Sequence, residues 1–233
     1  MTVVKVLLAL ALSYLFGSFQ PSYIFGKLIK KVDIRDYGSG NPGATNAIRV
    51  FGVKFGMMCL LIDAFKGALA VLIVKLIFGP QWIQLQLAAG IAAIFGHNYP
   101  FYMGFKGGKG VAATLGIILM VDWRVFLLAG TPAILILLIT RIMSVASLTF
   151  QFLTLVFFIF FNITNDSLIS IAVTAALYPL ISFWRHRQNI ARLIAGEEPK
   201  LWGKGSKKIT LETAVAEDEE EDKMFDDETS ENE

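Results

Sequence analysis

The sequence predicts an all-α integral membrane protein with seven transmembrane helices, the N-terminus outside and the C-terminus cytoplasmic. Three observations predict it. Of 233 residues, 55% are apolar and only 17% are charged, against roughly 25% charged in soluble domains. The mean hydropathy is +0.60. Apolar stretches recur at lengths suited to a bilayer core about 30 Å thick. This composition excludes a disordered chain and argues against a soluble enzyme.

The stretches lie near Val3–Phe25, Phe55–Phe78, Leu85–Phe95, Val111–Val121, Val125–Thr140, Val145–Ile163 and Ser167–Trp184. The first is long and lacks both a basic leader and a small-residue cleavage site, so it is read as a span and not as a signal peptide. The third and fourth are short. Either they begin inside the Gly-rich segment between them or that cytoplasmic segment is partly re-entrant. Irregular backbone at membrane depth is tolerated only where it lines an enclosed or wet cavity.

Basic residues orient the spans. The first loop holds Lys27, Lys30, Lys31, Arg35, Arg49 and Lys54, the third Lys106 and Lys109, and the fifth Arg141; Arg185, Arg187, Arg192, Lys200, Lys204, Lys207 and Lys208 follow the seventh span. The alternate loops hold only Arg124, beside Asp122. An odd span count fits this pattern. Residues 1–210 carry 20 Lys/Arg and 7 Asp/Glu and form the membrane domain, whereas residues 211–233 carry one Lys and 12 Asp/Glu and read as a disordered acidic cytoplasmic tail. The single cysteine, Cys59, excludes an internal disulfide and multi-cysteine metal sites.

The polar residues collect in a few places. Tyr37-Gly38-Ser39-Gly40-Asn41-Pro42-Gly43-Ala44-Thr45-Asn46 precedes Arg49. Glycines let backbone N–H groups converge on an anion, Ser, Thr and Asn add short neutral donors, and Arg adds a fork that matches phosphate. Gly38-x-Gly40-x-x-Gly43 imitates a dinucleotide fingerprint, but no strand precedes it and Asp63 lies inside an apolar span. Gly96-His97-Asn98-Tyr99-Pro100 leads to Gly104-Phe105-Lys106-Gly107-Gly108-Lys109-Gly110, phosphate-loop-like without Walker spacing. Asp63 and Lys66 share one face of the second span. A lipid-facing charge at the bilayer centre costs roughly 2.5–3.5 kcal/mol, so both are expected to face the bundle interior. Arg141, Ser144 and Ser147 open the sixth span, and His186, Asn189 and Arg192 follow the seventh. All these segments fall on the cytoplasmic side, where they suit a basic, Gly-lined pocket open to cytosol and bilayer.

Gly38-Ser-Gly-Asn-Pro-Gly-Ala-Thr-Asn46, Asp63-x-x-Lys66-Gly67 and Gly96-His-x-x-Pro-x-x-x-Gly-Phe-Lys-Gly-Gly-Lys-Gly-Val111 resemble the three cytoplasmic motifs of the bacterial membrane acyl-phosphate:glycerol-3-phosphate acyltransferases (PlsY-type). The likeness spans about residues 1–205, with Glu197 a minor departure. It implies a multi-pass enzyme of the bacterial plasma membrane that moves a fatty acyl group from acyl phosphate to the 1-hydroxyl of sn-glycerol 3-phosphate. The products would be lysophosphatidate and inorganic phosphate, the first acylation of phospholipid synthesis. Neither His97 nor His186 begins a His-x4-Asp dyad, and no G-x-S-x-G elbow is present. The resemblance supports Ser39, Arg49, Lys109, His186 and Asn189 as catalytic residues. It supports Gly38, Gly40, Asn41, Gly43, Thr45, Asn46, Lys66, His97, Lys106, Gly107, Gly108 and Ser144 as substrate-binding ones. Two sources of the base stay open, His186 and a substrate phosphate oxygen, and the second is preferred because no carboxylate–histidine pair is visible. No cofactor and no metal are expected. The partners expected are the two substrates and the lipid bilayer, with no nucleic acid, for a monomer able to associate with other phospholipid-synthesis enzymes. A transporter of phosphorylated metabolites, another lipid-phosphate transferase and a membrane scaffold are the rival readings.

Overall fold

The computed structural model describes residues 3–203; the acidic tail, 211–233, lies outside the described residues. The fold is all-helical: α1 (Val3–Ser18), α2 (Pro21–Phe25), α3 (Ala44–Phe51), α4 (Val53–Phe78), α5 (Ile83–Asn98), α6 (Val111–Val121), α7 (Trp123–Thr140), α8 (Met143–Phe161), α9 (Leu168–Arg185) and α10 (Arg187–Ile194). Five segments among the described residues are long and apolar enough to cross a membrane: Val3–Lys30, Val53–Phe78, Trp123–Thr140, Met143–Phe161 and Leu168–Arg185. The expected third and fourth stretches are helical but short, with 16 and 11 residues. At 1.5 Å per residue the second reaches only ~16 Å, and the Gly-rich segment 99–110 precedes it.

The first stretch differs from the single helix expected. Gln20 is extended (φ −111°, ψ 91°), because Pro21 disfavours the helical region for the residue before it and has no N–H to continue the ladder. Proline then starts α2, where its fixed φ suits the first helical turn. The break frees backbone groups that need partners at membrane depth. Tyr102 supplies two: its hydroxyl donates to the Ser18 carbonyl (2.8 Å) and accepts from the Gln20 N–H (3.1 Å). Lys66 Nζ donates to the Phe19 carbonyl (2.5 Å).

Small residues set the closest helix approaches, as in other membrane bundles. Gly116 of α6 lies against the Ala64 carbonyl of α4, and Gly67 of α4 against the Ala113 carbonyl of α6, leaving no room for a Cβ at either. The main core joins α5, α6, α8 and α9 through Leu87, Ile117, Phe150, Phe158 and Tyr178. Tyr178 is fully buried, and its hydroxyl donates to the Leu87 carbonyl (2.7 Å). Outside, Leu7, Leu61, Leu76, Leu138, Phe160, Ile169 and Leu180 are exposed, a belt of large apolar side chains of the kind that marks a lipid-facing surface.

Lys66 lies 13 residues into α4, roughly 20 Å along its axis, yet it meets Phe19 at the end of α1 and His97 at the end of α5. Both helices therefore stop well below the start of α4, leaving a recess at that end of the bundle.

Candidate active site

The recess is a cavity of about 140 Å³, and it gathers residues from every polar segment. Ser39, Asn41, Gly43, Thr45, Asn46 and Arg49 form one wall. Asn46 builds it: its Oδ1 accepts from the Ser39 N–H (2.9 Å), and its Nδ2 donates to the carbonyls of Tyr37 (2.9 Å) and Ile34 (3.2 Å). The side chain folds the loop back over the start of α3, with Gly38 at φ +63° completing a turn that a Cβ would obstruct by striking Asn46. Arg49, one turn beyond Thr45, places its guanidinium in the cavity. Its Nη2 donates to the Pro199 carbonyl (3.4 Å), while its buried Nε has no partner.

The second wall comes from Lys109 and Gly110, and the third from Ser144 and Ser147 at the start of α8. His186, Asn189 and Arg192 close the far side, and Asp63 and His97 lie at its inner end. Ile48, Leu60, Val111, Leu115 and Met143 add apolar lining, and Glu198 adds a carboxylate.

Lys109 donates to Asn189 Oδ1. Burial lowers its ammonium to about 8, with Arg192, Arg185 and Arg49 adding to the fall and Glu198 opposing it. Burial likewise lowers Arg49. His186 Nδ1 faces the Ser182 carbonyl at 2.8 Å. A carbonyl only accepts, so Nδ1 carries the proton and Nε2 keeps its lone pair. Burial and then Lys109 lower this imidazole to about 4, so it is neutral at pH 7.

Sequence reasoning missed Glu198. Gly196, at φ +70°, reverses the chain after α10. Glu198 then accepts from Asn189 Nδ2 (2.6 Å) and Arg192 Nε (2.8 Å). Burial alone would raise this carboxyl, but those two donors, with Ser144 and the charge of Arg192, outweigh it and hold it below the usual carboxylate range. The signal was an acid just beyond a helix-ending glycine, close to basic Arg192. Arg49 and Lys109, by contrast, form no salt bridge within 4.0 Å among the described residues, although the Glu198 carboxylate in the same cavity favours their charged forms from farther away.

Several expected substrate contacts stand elsewhere. Gly38, Gly40, Lys66, Lys106, Gly107 and Gly108 do not line the cavity. Gly107 and Gly108 donate their N–H groups to the carbonyls of Asn98 and His97 (3.0 Å each), and their carbonyls accept from Arg185 (2.7 Å each). Their backbone shapes the loop that carries Lys109, and those N–H groups are not free for phosphate. Lys106 is exposed. Lys66 is buried in an ion pair with Asp63 (2.6 Å; side-chain exposures 5% and 1%), which places both inside the bundle. Arg141, in a left-handed turn between α7 and α8, accepts from the Leu201 N–H (2.8 Å) through its carbonyl. The 196–203 segment is thereby tied to the rim.

Residues 7–196 match the family model described as Glycerol-3-phosphate acyltransferase. A protein of that name from Halalkalibacterium halodurans is 44% identical over 200 residues, covering 85% of this chain and 95% of its own length. Another from Prochlorococcus marinus (strain NATL1A) is 42% identical over 199 residues, covering 84% and 98%. The crystal structure of PlsY (YgiH), an integral membrane glycerol 3-phosphate acyltransferase, superposes in its glycerol 3-phosphate form with a TM-score of 0.77. That chain is 35% identical, and the match covers 85% of this chain and 96% of PlsY. The lysophosphatidic acid form gives 0.73 at 34% identity, covering 84% and 95%. With its helical bundle and cationic recess, the chain belongs to the glycerol-3-phosphate acyltransferase family of integral membrane enzymes.

Proposed function

We propose that this chain transfers a fatty acyl group from acyl phosphate to the 1-hydroxyl of sn-glycerol 3-phosphate, giving 1-acyl-sn-glycerol 3-phosphate and inorganic phosphate. One observation carries the reading: Arg49 and Lys109, from two Gly-rich segments far apart in sequence, share one cavity that also has an apolar lining of Ile48, Leu60, Val111, Leu115 and Met143. Two cations suit two phosphates, and the apolar lining suits an acyl chain.

An acyl phosphate is a mixed anhydride and needs no acyl-enzyme. Cys59 is fully buried and is not part of the cavity. Ser39, Ser144 and Ser147 line it, but among the described residues none hydrogen-bonds a histidine, and the carboxylate that Ser144 faces, Glu198, is already engaged by Asn189 and Arg192. The acceptor hydroxyl oxygen attacks the acyl carbon, the carbon–oxygen bond to phosphate breaks, and the hydroxyl proton passes to a phosphate oxygen. His186 lies too low in basicity, at about 4, to be an effective base at neutral pH; its role, with Ser39, Asn189 and Ser144, is to orient the substrates. Arg49 and Lys109 hold the phosphates against their mutual repulsion. Holding reactants in line can remove up to roughly 7–11 kcal/mol of barrier in ideal cases, and cationic stabilisation of the developing charge adds to it.

The same reading makes the protein a seven-crossing enzyme of the bacterial plasma membrane with its site on the cytoplasmic side. The cavity residues sit at the ends of α5 and α9 and at the starts of α6 and α8, which is what alternating crossings require. Residues 1–210 form this domain. The test uses purified protein with acyl phosphate, acyl-CoA and acyl carrier protein supplied in turn. Lysophosphatidate with equimolar phosphate from the first alone is expected; turnover with either thioester would refute the donor assignment.

A further inference from the structure

Acyl transfer as described leaves one buried cluster unused. Lys66 Nζ lies 2.5 Å from the Phe19 carbonyl, 2.6 Å from Asp63 Oδ1 and 2.8 Å from His97 Nδ1. We propose that Lys66 is a positioning residue that fixes the tautomer of His97, so that His97 Nε2–H is a neutral hydrogen-bond donor to a substrate phosphate in the cavity. The inference rests on the reading that the cavity binds phosphate.

An ammonium has three N–H donors and no lone pair. Its three neighbours here are a carbonyl, a carboxylate and a ring nitrogen, so His97 Nδ1 is the acceptor and the ring proton sits on Nε2. Asp63 Oδ1 also approaches Nδ1, at 3.3 Å. A proton on Nδ1 would satisfy that carboxylate but would point at the ammonium. Asp63 thus pairs with Lys66, and Lys66 in turn orients the imidazole.

His97 is 3% exposed and lines the cavity, and its Nε2 end abuts Gly108, where a Cβ would collide with it. Among the described residues no protein group hydrogen-bonds Nε2. The ring's backbone is fixed as well: the His97 carbonyl accepts from Gly108 N–H (3.0 Å) and Gln20 Nε2 (2.6 Å). Asp63 and Lys66 of α4, Arg185 at the end of α9 and Lys109 on the loop are the charged groups that face this region. In the opposite tautomer Nε2 would turn a lone pair toward the phosphate. The two histidines are then complementary: Lys66 places the proton of His97 on Nε2, and the Ser182 carbonyl places that of His186 on Nδ1.

Nitrogen NMR on ¹⁵N-histidine-labelled protein in micelles reads this directly, with His186→Gln assigning the two rings. His97 protonated at Nε2 and His186 at Nδ1 are expected at pH 7, with the His97 Nε2 resonance shifting when inorganic phosphate or glycerol 3-phosphate is added. A His97 protonated on Nδ1, or an Nε2 resonance unmoved by both anions, overturns the proposal. Kinetics supply a second arm. Lys66→Met should lower kcat/KM about 30-fold in the unmodified chain but under about 3-fold in His97→Gln, whose amide donates without a tautomer to set. Equal losses in both backgrounds would make Lys66 purely structural and refute the proposal. A raised KM for glycerol 3-phosphate or for acyl phosphate identifies which phosphate His97 serves, and a rise in neither also refutes it. An unmodified chain inactive with acyl phosphate would overturn the proposed donor instead, while the NMR measurement would still decide the tautomer.

Discussion

Lys109 and His186 occupy one cavity and titrate in opposite senses for function. Lys109 carries its charge below about 8 and loses it above, so phosphate capture weakens as pH rises through that value. kcat/KM for glycerol 3-phosphate is expected to fall above about pH 8 with the loss of a single proton, since that ratio reports the free enzyme. Lys109→Arg, charged throughout, should remove this alkaline limb while lowering neutral-pH activity roughly tenfold, because a planar fork does not replace a point charge. Initial rates from about pH 6 to 9.5 decide it; an alkaline limb unchanged in the arginine variant would refute the assignment. His186, at about 4, contributes no acid limb between about pH 5 and 7. At this scale Asp63 and Lys66 were legible from sequence, because two charges on one face of an apolar helix cannot both meet lipid. Their partners, the Phe19 carbonyl and His97 Nδ1, were not, since neither a freed helix carbonyl nor a ring orientation has a local signature.

Helix length and glycine placement set the recess. α1 and α5 stop beside the middle of α4, and α6, at 11 residues, is shorter than a bilayer core without the loop that precedes it, so loops fill space that a longer helix would occupy. The Gln20-Pro21 break was present in the sequence, yet an apolar run from Val3 to Phe25 hides it from any count of hydrophobic residues. The α4–α6 contact depends on glycine at close approach, with Gly116 against the Ala64 carbonyl. Gly116→Leu is expected to force α6 away from α4, at an overpacking cost of about 1–3 kcal/mol, and to disturb Val111 and Leu115 in the cavity lining. Melting in detergent should fall by several degrees, with activity lost before global unfolding. A variant with unchanged melting and turnover would show that this contact is loose.

For the whole molecule, the proposed topology predicts which positions share a side. In a Cys59→Ala background, single cysteines at Lys54, Lys106 and Arg187 should react with an impermeant thiol reagent only from the cytosol, and those at Gln81 and Asn165 only from outside. All five positions are exposed. Any mixing of the two sets would break the alternation on which seven crossings rest. The basic asymmetry of the loops predicts this arrangement because Lys and Arg resist translocation, and the cavity gathers the same loops at one end of the bundle.

By itself the sequence determined that the chain is a greasy helical bundle, that its polar groups cluster in a few Gly-rich and basic segments, and that Asp63 and Lys66 turn inward. Composition, period and charge asymmetry are local or additive, so they can be read without the fold. The tertiary structure alone decided which of those polar groups face the cavity and which hold it open. Gly107 and Gly108, a phosphate cradle by pattern, donate their N–H groups to α5, while Lys109 and Arg49 line the cavity. Glu198 enters from beyond α10, and Lys66 lies inside the bundle against Asp63 and His97. Each N–H has one proton to give, and whether substrate or scaffold receives it depends on neighbours that only folding brings within 3 Å.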